Sequence, residues 1–106
     1  MSRGPALALA AAALALPACG GGVDEAEREA ATAAARAVYL KEKAAGTDFS
    51  RGPCLGTVFP NWVADVAHDP RRAVDDEPEN QCEAYRSGEA EHFVELDPDG
   101  NVIRAE

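Results

Sequence analysis

Phe93-Val94-Glu95-Leu96, then Asp97-Pro98-Asp99-Gly100, then Asn101-Val102-Ile103 reads as strand, tight turn, strand, and this stretch decides the fold class. Pro98 presets φ at the first central position of the turn, Asp99 suits the second, and Gly100 accepts the left-handed conformation that follows. Opposing Asp97 and Asn101 across the turn sets the register. Leu96 then faces Val102, while Phe93, Glu95 and Ile103 point to the other side. Asp97, Asp99 and Asn101 also have the spacing of the first ligands of a calcium loop. The position of that loop that requires glycine holds Val102, so a hairpin is the better reading.

Two further elements complete a layer. Trp62, Ala64 and Val66 alternate with Val63, Asp65 and Ala67, a period of two that predicts a strand ended by Asp69-Pro70. Upstream, Asp24 followed by Glu27 reads as a capping box opening a helix. Ala26, Ala30, Ala33, Ala37, Leu40 and Ala44 recur at spacings of three and four and predict its apolar stripe. Glu25, Glu27 and Glu29 lie near the positive end of that helix, Lys41 and Lys43 near the negative end, and Gly46 is a natural stop. Between helix and strand, Gly52-Pro53-Cys54 and Gly56 read as irregular chain. Arg71 to Asn80 reads as an exposed charged loop, and Glu79 to Arg86 as a short second helix around Cys82 and Tyr85 that ends near Gly88.

The expected fold is therefore α+β: one long N-terminal helix packed on a small antiparallel sheet of about three strands, with a short second helix and one disulfide. If Val94, Leu96 and Val102 join Trp62, Ala64 and Val66 beneath the helix, then Val63, Phe93 and Ile103 form a second apolar face. That face needs a cover, supplied by the Cys54 or Cys82 segment or by a partner. Together with the acidic run Asp75-Asp76-Glu77, these three residues are the candidate interaction surface.

The beginning of the chain sets the address. Ala6 to Leu16 is an unbroken run of Ala and Leu, too short for a membrane-spanning helix of about 20 residues and suited to the apolar core of an export signal. With Leu16-Pro17-Ala18-Cys19 directly after it, the segment resembles the signal of bacterial lipoproteins, although Pro17 departs from the usual small or aliphatic residue. The resemblance implies cleavage before Cys19, a diacylglycerol on its sulfur and a palmitate-type acyl chain, and hence an extracytoplasmic domain held at the cell membrane by lipid. Residues 1–18 are then the signal peptide, 19–23 the lipidated cysteine and glycine tether, and 24–106 the domain. Assigning Cys19 to the lipid leaves Cys54 and Cys82 as an even pair. Disulfides persist outside the cytoplasm, so the two are expected to form one.

All 19 acidic residues follow Cys19, against nine of the ten basic ones. That balance argues against nucleic acid and against anionic lipid headgroups, both of which need positive charge. The membrane contact expected is the lipid anchor alone, with an envelope protein as the possible partner. No cofactor or metal motif occurs, and the sequence does not suggest an enzyme. Ser50 or Ser87 with His68 and Asp65 would make a triad on paper, but there is no nucleophile elbow, phosphate cradle or zinc-protease helix. His68 and His92 would approach one another if their strands were neighbours, with Asp65 or Asp69 completing a metal site. Two surface histidines at strand ends are the simpler reading.

One helix followed by a small sheet also resembles the plan of PepSY-like and cystatin-like domains of exported proteins. The resemblance rests on Ala37-Val38-Tyr39-Leu40, Trp62 to Val66, and Phe93-Val94-Glu95-Leu96-Asp97 with Gly100 and Val102. It implies a fold and no particular activity. The function expected is a non-enzymatic interaction module. A small-ligand or cation-binding lipoprotein is the alternative, and a hydrolase the third class.

Overall fold

The computed structural model describes residues 23–106. The signal segment, Cys19 and the glycines of the tether lie outside the described residues. Helix α1 spans Glu25–Ala44; strands β1 (Cys54–Phe59) and β2 (Trp62–Val66) follow, then helix α2 (Glu83–Arg86) and strands β3 (His92–Leu96) and β4 (Val102–Ala105). The α+β architecture, the long and short helices and the Cys54–Cys82 disulfide are all present. The sheet has four strands in the order β1-β2-β3-β4, one more than the pattern suggested. It is mixed, because β2 and β3 pair in parallel.

The extra strand is β1. Glycine and proline around Cys54 disguise it in the sequence, but Gly56, at φ +92°, sits at the first of two register shifts against β2. Glycine there permits a bulge without ending the strand. Asn61, at φ +72°, turns the chain from β1 into β2. The parallel pair follows from length: residues 67–91 separate β2 from β3 and provide the crossover that parallel strands require. This segment carries two short 3-10 turns, Ala73–Asp76 and Pro78–Asn80, and then α2. The terminal hairpin keeps its expected register, with Leu96 opposite Val102 and the Asp97 amide donating to the Asn101 carbonyl at 2.8 Å. Between Glu95 and Leu96 the pairing shifts, so Ile103 is an extra residue on β4.

Helix α1 covers one face of the sheet with a different stripe from the one its alanine spacing suggested. Ala31, Ala35 and Tyr39 are buried, whereas Ala26, Ala30, Ala33, Ala37, Leu40 and Ala44 all face solvent, Leu40 at 62% exposure. Alanine supplies too little area to choose a face, and larger and polar groups chose it instead. Tyr39 stacks on Phe49 at 4.4 Å and donates its hydroxyl to the Pro98 carbonyl at 2.8 Å. Arg28 Nε donates to the Ala105 carbonyl at 3.0 Å, and the fully buried Trp62 donates its indole N–H to Glu27 Oε2 at 2.8 Å. Glu27 is therefore committed to Trp62. Asp24 occupies the N-cap position without a side-chain capping bond, so the expected capping box is absent.

Trp62, Ala64, Val66, Val94 and Leu96 form the core beneath α1. The opposite face is covered by the crossover, where Val63, Cys82 and Ala90 are buried together with Phe93 packed against them. The disulfide fastens this cover by joining Cys82, at the start of α2, to Cys54 on β1. Strand β2 is thus buried on both sides, as parallel strands usually are.

The face that α1 presents to the sheet has a direct stability test. Ala35→Leu should overpack the interface and lower stability by about 1–3 kcal/mol, whereas Ala37→Leu, on the solvent side, should stay within about 0.5 kcal/mol. Urea denaturation of both variants checks the assignment, and the reverse order of effects would restore the original stripe.

Candidate functional site

The parallel register sets Asp65 on β2 directly beside Glu95 on β3. Alternation within the strands sends both to the face away from α1, next to Val63 and Phe93. They line a groove of about 530 Å³ with Gln81, Tyr85, Arg86 and Cys82 from the crossover, Arg71, and Arg104 of β4. That volume is within the range of about 300–1,000 Å³ found for small-molecule sites.

Two carboxylates side by side cannot both ionise cheaply, and their surroundings divide the roles. Glu95 is buried, and its charge is met on both oxygens: Arg71 Nη1 lies 2.7 Å from Oε2 and Arg104 Nε 3.3 Å from Oε1. Arg71 is fixed in turn by Asp76 at 2.9 Å. Asp65 has no such partner; its Oδ1 is buried and makes no hydrogen bond among the described residues. Burial first, and then the charge of Glu95, push the Asp65 carboxyl up to about 7, against the smaller pull of Arg71. The groove therefore contains an acid that changes charge near neutrality, a property that marks functional sites more often than structural ones.

The rim is basic. Among the described residues, Arg86 meets only Glu83 across 3.9 Å, and its side chain is 49% exposed. Arg104 is equally exposed and uses only Nε on Glu95. Tyr85 and Phe93 form an edge-to-face pair at 5.2 Å that makes the apolar wall.

The residues singled out from sequence are distributed unevenly. Val63 is 1% exposed under the crossover, so the apolar face of which it was part is covered from within the chain. Phe93 is half-buried and borders the groove, while Ile103, also half-buried, does not line it. The run Asp75-Asp76-Glu77 is not a uniform acidic surface. Asp76 and Glu77 are exposed, but Asp75 is 3% exposed. Asp75 Oδ2 accepts from the amides of His68 at 2.9 Å and Arg72 at 2.8 Å, and its Oδ1 lies 3.0 Å from His68 Nδ1. Burial works against its ionisation, but those two amides and the His68 ring outweigh it and hold the carboxyl below the usual range. An ionised carboxylate only accepts, so Nδ1 of His68 carries a proton. This is an internal brace of the crossover.

His68 is accordingly buried, contrary to the expectation of a surface residue, while His92 packs against Trp62 with ring centroids 4.9 Å apart and the planes tilted by 30°. Parallel pairing places them at opposite ends of the sheet, roughly 20 Å apart by strand rise, so they share no site. Among the described residues no group of three or more His, Cys, Asp or Glu is arranged to hold a metal ion. The paper triad is not assembled either. Ser50 donates to Asp48 at 2.6 Å, Ser87 to the Ala84 carbonyl at 3.2 Å, and His68 is engaged by Asp75. A second cleft, of about 370 Å³, lies beside His68, Asp69, Pro70 and Asp97. Of its three carboxylates, Asp69 and Asp99 are exposed and Asp97 is occupied by the amides of Asp99 and Asn101, both at 2.9 Å.

No protein-family model matches the chain, and no curated protein or solved structure does so either. The groove must be read from its own chemistry.

Asp65 gives that reading a pH signature. Its carboxyl releases a proton near pH 4 when unfolded and near 7 when folded. Between those values the native state holds one proton more than the unfolded state, so this group lowers stability as pH rises from about 4 to about 7 and adds no further loss above that. The slope it contributes is on the order of 1.4 kcal/mol per pH unit at most. Asp65→Asn should remove it, so the stability difference between variant and wild type should grow from pH 4 to 7 and then level off in a urea-denaturation series. A constant difference would place the Asp65 carboxyl in an ordinary solvated setting.

Proposed function

We propose that this chain is a lipid-anchored, extracytoplasmic domain that acts by binding a small ligand in the groove above β2 and β3. One observation carries the reading: on the groove wall, a carboxyl with a buried, unpartnered oxygen stands beside a second carboxylate already neutralised by two arginines. A packed core has no use for such an arrangement, since leaving a buried polar atom unsatisfied costs about 1–3 kcal/mol. Asp65 is only half-buried and lines the groove, so a ligand there can reach its carboxyl and hydrogen-bond to it.

The address rests on Leu16-Pro17-Ala18-Cys19 and is supported by the disulfide, a bond characteristic of oxidising compartments. No helix among the described residues is long and apolar enough to cross a membrane. Action by binding is supported by the groove lining, which includes no serine, threonine or free thiol, and by the commitment of Glu95 to Arg71 and Arg104. The alternative of an envelope protein partner has less support from the residues first named for it, because Val63 is buried and Asp75 is braced internally.

The two halves of the proposal are tested separately. Cys19→Ser should abolish labelling of the protein by a palmitate analogue, and labelling equal to that of the wild type would overturn the anchor. For the groove, melting of the mature protein is followed against a panel of small organic solutes. A bound solute raises the midpoint in proportion to RT ln(1 + [L]/Kd), and the gain should vanish in Arg86→Ala. If no solute raises the midpoint, the small-ligand reading fails.

A further inference from the structure

We propose that the groove selects a small organic anion, a carboxylate carried on an apolar or aromatic body, and that the ligand is bound with Asp65 in its neutral form as a hydrogen-bond donor. The inference rests on the groove being the binding site and specifies what it takes. The charges that face Asp65 come from every element around it: Glu95 from β3, Arg104 from β4, Arg71 and Asp75 from the crossover, and Arg86 from α2 at the rim. Its neighbour on β1, Cys54, is in the disulfide and carries no charge. Helix α1 lies on the other face, where Glu27 is bound to Trp62.

Within the groove itself, three arginines face two carboxyls, of which Glu95 is permanently matched. Counted over its lining alone, the groove carries +2 with Asp65 neutral and +1 with Asp65 ionised, from Arg71, Arg86 and Arg104 against Glu95; Asp76 at 2.9 Å and Glu83 at 3.9 Å partner Arg71 and Arg86 from outside the lining. Three of the chain's ten basic residues gather in this lining, on a chain whose formal charge is −9. Arg86, paired only weakly with Glu83, offers the planar fork that matches a carboxylate. Tyr85 and Phe93 supply the apolar wall for the body of the ligand. An ammonium ligand would also satisfy Asp65, but it would meet three guanidinium groups on the way in. The two classes have opposite proton linkage. An anion needs Asp65 protonated, and its affinity falls as pH rises. An ammonium needs Asp65 ionised, and its affinity rises.

The test titrates benzoate and, separately, benzylamine into the mature protein, with the side-chain N–H resonances of the arginines as the readout, at pH 6 and pH 8. Asp65 changes charge at about 7, so the competent fraction falls from about nine-tenths to about one-tenth over that interval, and the apparent Kd for benzoate should weaken about tenfold. Asp65→Asn retains a donor without a titration, so it should bind benzoate with the same affinity at both pH values. Arg86→Gln should weaken benzoate at both. If benzylamine binds instead, tighter at pH 8 and lost in Asp65→Asn, the anion assignment is overturned while the groove stands as a binding site. If benzoate binds without a pH dependence, the role of Asp65 is overturned. If neither probe shifts Arg86 or Arg104, both this inference and the groove reading fall.

Discussion

The parallel pairing of β2 with β3 is the constraint on which the rest of the molecule depends. It forces the chain to travel the length of the sheet between Val66 and His92, so residues 67–91 must lie across the face that α1 leaves open. That crossover buries Val63, carries the Asp75 brace and α2, and walls the groove. The same pairing sets Asp65 and Glu95 at one level on neighbouring strands. An antiparallel arrangement in any other register would separate them, and neither the raised Asp65 carboxyl nor the doubly matched Glu95 would exist.

The disulfide matters through the same segment. Two short 3-10 turns and a four-residue helix cannot hold themselves in place, since isolated helices of that length are unstable in water. Cys54–Cys82 ties the start of α2 to the edge strand, and Asp75 gathers the His68 and Arg72 amides at the other end of the segment. Gly52, at φ +66°, packs so closely on Asp75 that a side chain there would displace it. A covalent bond and a saturated carboxylate thus do for the crossover what a hydrophobic core does for the rest.

What the sequence made legible was local. The terminal turn, with its proline, aspartate and glycine, yielded the hairpin and its first pair, Leu96 opposite Val102, but not the extra residue at Ile103, and the alternation from Trp62 yielded β2. The even pair of cysteines yielded the disulfide. The helix itself was readable, but its buried face was not. Every face of an alanine-rich helix looks apolar, and the choice was made by Tyr39, Arg28 and Glu27 through contacts with residues far away in the chain. Strand β1 was hidden because Gly56 serves as a bulge where it reads as a break. The groove was invisible for a deeper reason: Asp65 and Glu95 are 30 positions apart and become neighbours only through a parallel register that alternation does not encode. A charged residue in the middle of each of two otherwise apolar strands was the one available signal.

Strand β2 also has a consequence for how the groove behaves. It is hydrogen-bonded along both edges, to β1 and β3, and is covered on both faces, so it should be the last part of the domain to open and its amides the slowest to exchange with solvent. Asp65 is carried on that strand. Its backbone cannot swing away to hydrate the carboxylate without undoing the sheet. The floor of the groove is therefore rigid, and on that floor the proton, not the backbone, is the adjustable part.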